Sequence, residues 1–227
     1  MNKIAIVVKK IKVLLFIPLR YLIITHDSYS DVIKPLAEWK TQKGYKAKIV
    51  TLSEIGGSDS VSIRNYVVNA YTNWPIKPEY LLLVGNPDQI PFPLFGETTY
   101  GYAYTDNYYT NVSGDFHNEI LPGRLWVFDT IQVKTIITKI LNYDKAPYID
   151  DPLWFRKGST VISEDGTTHG DSVYWSDARY AHLLMNSANY IQVDSFAGSL
   201  GDSSLDVINA VNDGRSYILF RGVGVQE

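Results

Sequence analysis

The sequence predicts an α/β protein built on a largely parallel sheet with helices on both faces. Three observations carry that prediction. Short apolar runs recur at residues 21–25 (YLIIT), 80–84 (YLLLV) and 216–220 (SYILF). Between them lie stretches with apolar residues at helical spacing. The two patterns alternate along most of the 227 residues, and strand–helix–strand order places parallel strands side by side with crossover helices between them. The length suits one ordinary α/β domain or one large domain with two sub-regions. Apolar residues make up 45% and charged residues 20%, a globular balance under which the bulk of the chain folds.

Each element has its own local reason. Residues 21–25 are apolar and partly β-branched, as a strand buried on both faces requires. Residues 31–43 carry Val32, Ile33, Leu36, Ala37 and Trp39 near helical spacing and meet Gly44, a helix stop. Residues 46–52 (KAKIVTL) alternate as a strand. Ser60 or Ser62 can cap a helix running to about Thr72, with Ile63, Tyr66, Val67 and Ala70 on one face. Residues 80–84 form the third strand, closed by Gly85. Residues 86–118 break the rhythm with Pro, Gly, Asn and Tyr and predict a hairpin and loops. The alternation resumes at Ile120, with helices over 130–143, 172–187 and 205–211 and strands over 157–163, 190–196 and 216–220.

Residues 1–20 (MNKIAIVVKKIKVLLFIPLR) read as an N-terminal extension to a domain over 21–227. Lys9, Lys10 and Lys12 interrupt the apolar run of about 7–15 residues that a secretory signal needs, and no small-residue cleavage site follows. The same interruptions and Pro18 exclude a transmembrane helix. An extra edge strand or a start site inside a longer gene fits better than a poor signal. The net charge of −3 and the lack of a basic run beyond the N-terminus argue against nucleic acid as a partner.

Chemistry in such sheets sits beyond the carboxyl ends of the strands, here residues 25–28, 85–89, 163–171 and 221–227. No G-x-G-x-x-G opens a helix, no Walker-type loop exists, and Gly222-Val223-Gly224 is a lone G-x-G. There is no G-x-S-x-G nucleophile elbow. Ser163 stands beside Glu164 and Asp165 with His169 nearby, but a triad is a matter of geometry, and a solvated loop is the simpler reading. His26 and His169 both follow predicted strands, and no metal-ligand spacing links the four histidines. An enzyme of another class would use His26 or His169 with Glu164. The chain has no cysteine, which excludes disulfides and any thiol nucleophile of its own. In the irregular stretch, Asp106, Asn107, Asp115 and Glu119 are of the type that binds calcium, though turn chemistry explains them as well. The tyrosines between 100 and 109 read as a loop packed on itself in preference to a substrate-facing wall.

Four stretches taken together resemble the gingipain family of cysteine peptidases. They are YLIITHDSYSDVIKPLAEWKTQKGYKAKIVTLSEIG, YVVNAYTNWPIKPEYLLLVGNPDQIP, YTDNYYTNVSGDFHNEILPGRL and INAVNDGRSYILFRGVG. The resemblance covers residues 21–227 and implies a caspase-like three-layer α/β/α sandwich with a mostly parallel sheet, incomplete at its C-terminal end. It also implies a secreted or cell-surface endopeptidase acting on protein or peptide substrates. Its reaction requires no cofactor, and calcium is expected as a structural ion. The family uses a His–Cys dyad at the carboxyl ends of neighbouring strands, with an acidic residue orienting the histidine. By resemblance Glu164 is that acid, with Asp165 adjacent. Gly224 is the glycine whose backbone N–H helps form the oxyanion hole, and Val223 stands where the family has histidine. Valine transfers no proton, and with no cysteine present the chain is expected to be inactive as written, or to serve as a protein- or peptide-binding module.

Overall fold

The computed structural model describes residues 19–98, 101–115 and 117–222, which fall into two compact units divided after Ala146. Most of the N-terminal extension therefore lies outside the described residues, and the strand expected at residue 21 begins at Leu19. No helix among the described residues is long and apolar enough to cross a membrane.

The first unit holds a four-stranded parallel sheet in the order β2-β1-β3-β6, made of β1 (Leu19–Thr25), β2 (Lys46–Thr51), β3 (Tyr80–Val84) and β6 (Leu121–Leu125). Successive strand residues face opposite sides, so the apolar runs feed two cores. Leu22, Ile24, Leu81 and Leu83 pack against Ile63, Val67 and Ala70 of α3 (Ser60–Asn73) and against Tyr109. Ile23, Leu82 and Val84 pack on the other face against Ile33 and Leu36 of α1 (Ser30–Gln42) and Val133 and Ile137 of α5 (Thr130–Lys145). This is the three-layer arrangement expected of strands that are apolar on both faces.

The expected caps are partly replaced. Asp59 caps α3, its carboxylate accepting the N–H groups of Val61 and Ser62. A one-turn helix, α2 (Leu52–Ile55), follows β2 through a capping box between Thr51 and Glu54. The irregular stretch contains the antiparallel hairpin of β4 (Leu94–Thr98) and β5 (Gly101–Tyr104), then the short α4 (Asn107–Thr110).

The second unit holds a three-stranded parallel sheet in the order β8-β7-β9, from β7 (Lys157–Ser163), β8 (Gln192–Ala197) and β9 (Tyr217–Gly222). The long α6 (Thr168–Ser187) packs Ala178 against Ile162 and Ala197, with Tyr174 and Trp175 at the margin. A further helix, α7 (Ser204–Asn212), connects β8 to β9. Arg215, almost fully buried, ties the connections together by donating to Asp194 and Asp213.

Candidate active site

The central strand β7 buries Gly158, Ser159, Thr160 and Ile162 and ends at Ser163, which delivers Glu164 to the carboxyl edge of the second unit. Two neighbouring elements close on that carboxylate. Thr167 caps α6, and seven residues into the helix the Trp175 indole N–H donates to Glu164 Oε1 at 2.8 Å. The 3₁₀ turn after β8, Gly198–Leu200, brings up Ser199, whose hydroxyl donates to Oε1 at 2.6 Å and whose backbone N–H donates to Oε2 at 3.0 Å. These three donors, led by the Ser199 hydroxyl, hold the Glu164 carboxyl below its ordinary range and keep it ionised.

Asp165 has a different task. It accepts the Thr167 N–H and hydroxyl at 2.8 and 2.6 Å and the Tyr174 hydroxyl at 3.1 Å, which shapes the loop into α6. The two adjacent acids thus diverge, one folded into a turn and the other held at the strand ends.

Beside them, β9 pairs with β7 so that Gly222 stands opposite Ser163. Gly222 has φ +148, and a Cβ built on it would sit 2.0 Å from the Ser163 carbonyl oxygen. Only glycine permits this approach. Val223 and Gly224 follow directly in sequence and lie outside the described residues. Next to Glu164 a groove of about 560 Å³ opens between the strand ends and α7, with Val161, Phe196, Val207 and Ile208 among its apolar lining and Asp202 and Ser203 among its polar lining.

The histidines do not gather here. His169 lies exposed in the first turn of α6, which begins at Thr168, four residues ahead of the expected start. His182, on the same helix, has Nδ1 3.4 Å from the Ser195 hydroxyl on β8. His26 belongs to the first unit, and the exposed His117 sits in its irregular loop.

The residues considered for calcium are occupied by protein donors. Asp106 takes two N–H groups of Arg124 at 2.7 and 2.9 Å. Asn107 accepts from Asn118, Asp115 from the His117 N–H, and Glu119 from the N–H groups of Val112 and Ser113. Among the described residues no group of three or more His, Asp or Glu side chains is arranged to hold a metal ion. Of the tyrosines, Tyr109 is fully buried and donates to the Pro91 carbonyl at 2.6 Å, Tyr108 stacks under Arg64, and Tyr102 and Tyr104 are exposed on β5.

Trp175 and Ser199 did not emerge from the sequence as site residues. Ser199 was findable, since it stands just past the carboxyl end of a parallel strand. Trp175 lies two helical turns beyond the start of α6, a relation visible only once that start is known. The arrangement is a hydrogen-bonded, ionised carboxylate at the carboxyl edge of the second sheet.

Known proteins share the sequence pattern and the fold. The model of Peptidase family C25 matches residues 16–227. Lys-gingipain of Porphyromonas gingivalis is 27% identical over 163 residues, 70% of this chain and 9% of that protein. Gingipain R2 of the same organism is 24% identical over 209 residues, 90% of this chain and 27% of that protein. The crystal structure of the Arg-specific cysteine proteinase gingipain R superposes with a TM-score of 0.75 at 22% identity, covering 92% of this chain and 48% of that one. The complex of Porphyromonas gingivalis RgpB pro- and mature domains gives 0.73 at 21%, covering 91% and 48%. The chain therefore spans about half of the solved structures and a smaller share of the curated relatives it matches. With the family match running through both units and the caspase-like fold shared with gingipain R, the chain belongs to peptidase family C25, the gingipain-type cysteine peptidases.

Proposed function

We propose that these 227 residues carry the acidic partner of the family's His–Cys dyad and, with Val223 at the histidine position and no cysteine among them, perform no thiol hydrolysis by themselves. The observation that carries the reading is an anchored Glu164 in a sequence with Val223 at the histidine position and no cysteine. Thiol peptidases need a thiolate to attack the carbonyl and an imidazole to move the proton to the leaving amine. Val223 has no titratable group, so Glu164 has no imidazole to orient. By the family resemblance Gly224 would offer its backbone N–H to an oxyanion, but without a nucleophile no tetrahedral intermediate forms. Protein or peptide as ligand, and a secreted or cell-surface setting, are carried over from the family.

The test is turnover of labelled casein and of fluorogenic peptides with Arg or Lys before the reporter. The expected rate equals that of buffer, and Val223→His leaves it there because the thiol is still missing. Turnover that co-purifies with the chain and changes in Glu164→Gln would overturn the reading.

A second reading, a peptide-binding module, is favoured by the 560 Å³ groove beside Glu164, whose apolar wall is intact without the dyad. Calorimetric titration with casein-derived peptides should show saturable binding that Phe196→Ala weakens about tenfold. Equal binding by the variant removes the groove from the reading, and loss of binding in Tyr104→Ala would move the contact to the exposed β5 tyrosine.

A further inference from the structure

The first sheet has two outer strands, and they are unequal. Among the described residues β2 and β6 each pair on one side alone. β6 holds Pro122, which offers no N–H to a further strand and guards that edge. β2 (KAKIVT) has no proline. Its Lys48 is turned onto the α3 side of the sheet, the ammonium 4.5 Å from the Trp74 ring centroid and donating to the Tyr66 hydroxyl at 3.3 Å. On the α1 side, Ala47 and Ile49 are half-buried, and with Ala37, Glu38 and Thr41 of α1 they line a groove of about 420 Å³. The small side chains of Ala37 and Ala47 leave that room. One strand thus presents an open backbone edge and, beside it, space for apolar side chains.

The chain carries a segment whose sequence fits that edge. Residues 11–15 (IKVLL) set Ile11, Val13 and Leu15 at the two-residue period of one strand face, with Lys12 and Leu14 on the other. They lie ahead of the family match, which begins at residue 16. The distances are short. β1 begins at Leu19, whose partner is Lys46, the first residue of β2. The lane beyond β2 is two strand spacings from β1, about 9.6 Å. Three residues reach about 10 Å, so residues 16–18 suffice as the link. Pro18 falls within it, where no ladder N–H is needed. The lane beyond β6 is three spacings away, about 14 Å, and a link of three residues falls short of it. A connection this brief reverses the chain, so the segment runs antiparallel to β1 and therefore to β2.

We infer that residues 11–15 of this chain dock on the free edge of β2 as a fifth member of the first sheet, with Ile11, Val13 and Leu15 entering the groove beside α1. The alternation selects the register. A slip of one residue would place Lys12 in the apolar groove and turn Ile11, Val13 and Leu15 toward Lys48. The docked segment gives β2 a backbone partner from its own molecule, which removes an edge that other chains could otherwise use. The inference is independent of Glu164, which belongs to the second unit.

The test is nuclear magnetic resonance of the full 227-residue chain, labelled with ¹⁵N and ¹³C. Cross-strand proton contacts between residues 11–15 and 46–51 are expected, in antiparallel order. Amide exchange at residues 11–15 should be slowed about a hundredfold relative to an unfolded chain. Val13→Asp puts a charge in the groove and should reduce that protection at least tenfold, to the order expected of an unpaired strand. The amides of the internal β3 should keep theirs in the same sample, which shows that the unit is still folded. Lys12→Asp, on the opposite row, should leave the protection of residues 11–15 within about twofold. Contacts to residues 121–125 in place of β2 would overturn the inference. So would unprotected amides at 11–15 in the parent chain, protection that disappears on dilution, or equal loss in the two variants.

Discussion

Arg124 is the residue on which the first unit's irregular loop depends. Its guanidinium, 6% exposed, donates two hydrogen bonds to Asp106 and others to the carbonyls of Gly85 and Ile90, and it lies over the Phe92 ring. Removing it strands a partly buried carboxylate and two carbonyls. Arg124→Ala is predicted to cost about 3–5 kcal/mol in urea unfolding, and Arg124→Lys to recover only part, since an ammonium cannot reproduce the fork. Glu119 supplies a pH-dependent contact in the same loop. Its carboxyl is lowered from an ordinary 4.5 to about 2 by the Ser113 hydroxyl and the N–H groups of Val112 and Ser113. A depressed folded value means that the contribution is complete above about pH 4.5 and fades as pH falls toward 2. The melting-temperature gap between the parent and Glu119→Gln should therefore be full at pH 6, narrower at pH 3 and closed near pH 2. A gap constant across that range would refute the linkage.

At the scale of elements, the strand and helix pattern was largely legible, because buried parallel strands write their apolar runs directly into the sequence. Residues 80–84 are one such case and match β3 residue for residue. Ends set by side-chain capping were harder to read. Asp59 displaced the two serines as the cap of α3, and Thr167 moved the start of α6 forward, turning His169 from a loop residue into an exposed helical one. The surroundings of the candidate residue Glu164 were half legible: its place after a strand could be read, whereas its donors Trp175 and Ser199 come from elements that meet only in three dimensions. The edge of the second sheet yields its own prediction. Among the described residues β9 pairs on one side alone, and Tyr217, Ile218 and Phe220 are 48%, 42% and 54% exposed. An open apolar edge invites strand pairing between molecules. Sedimentation should show concentration-dependent association of this chain that Ile218→Lys suppresses, and a monomer at all concentrations would count against it.

For the whole molecule, the division after Ala146 leaves little trace in the strand–helix rhythm, which runs on across it; Pro147 and Pro152 are its visible marks. The two units differ in what holds them. The first buries a cluster on each face of its sheet, whereas the buried cluster of the second consists of Ile162, Ala178 and Ala197. Local stability follows buried apolar contact. Native-state hydrogen exchange in rising urea should therefore release the amides of β7 and β8 before those of β1 and β3. Simultaneous release would mean that the units unfold as one.

The contact between Gly222 and the Ser163 carbonyl has an evolutionary consequence. Whatever selection acts on the residue after this glycine, selection for a closed sheet acts on the glycine itself, since any side chain there collides with β7. The two pressures are separable. Among relatives that differ at the position of Val223, the glycine before it should be retained, kept in place by packing.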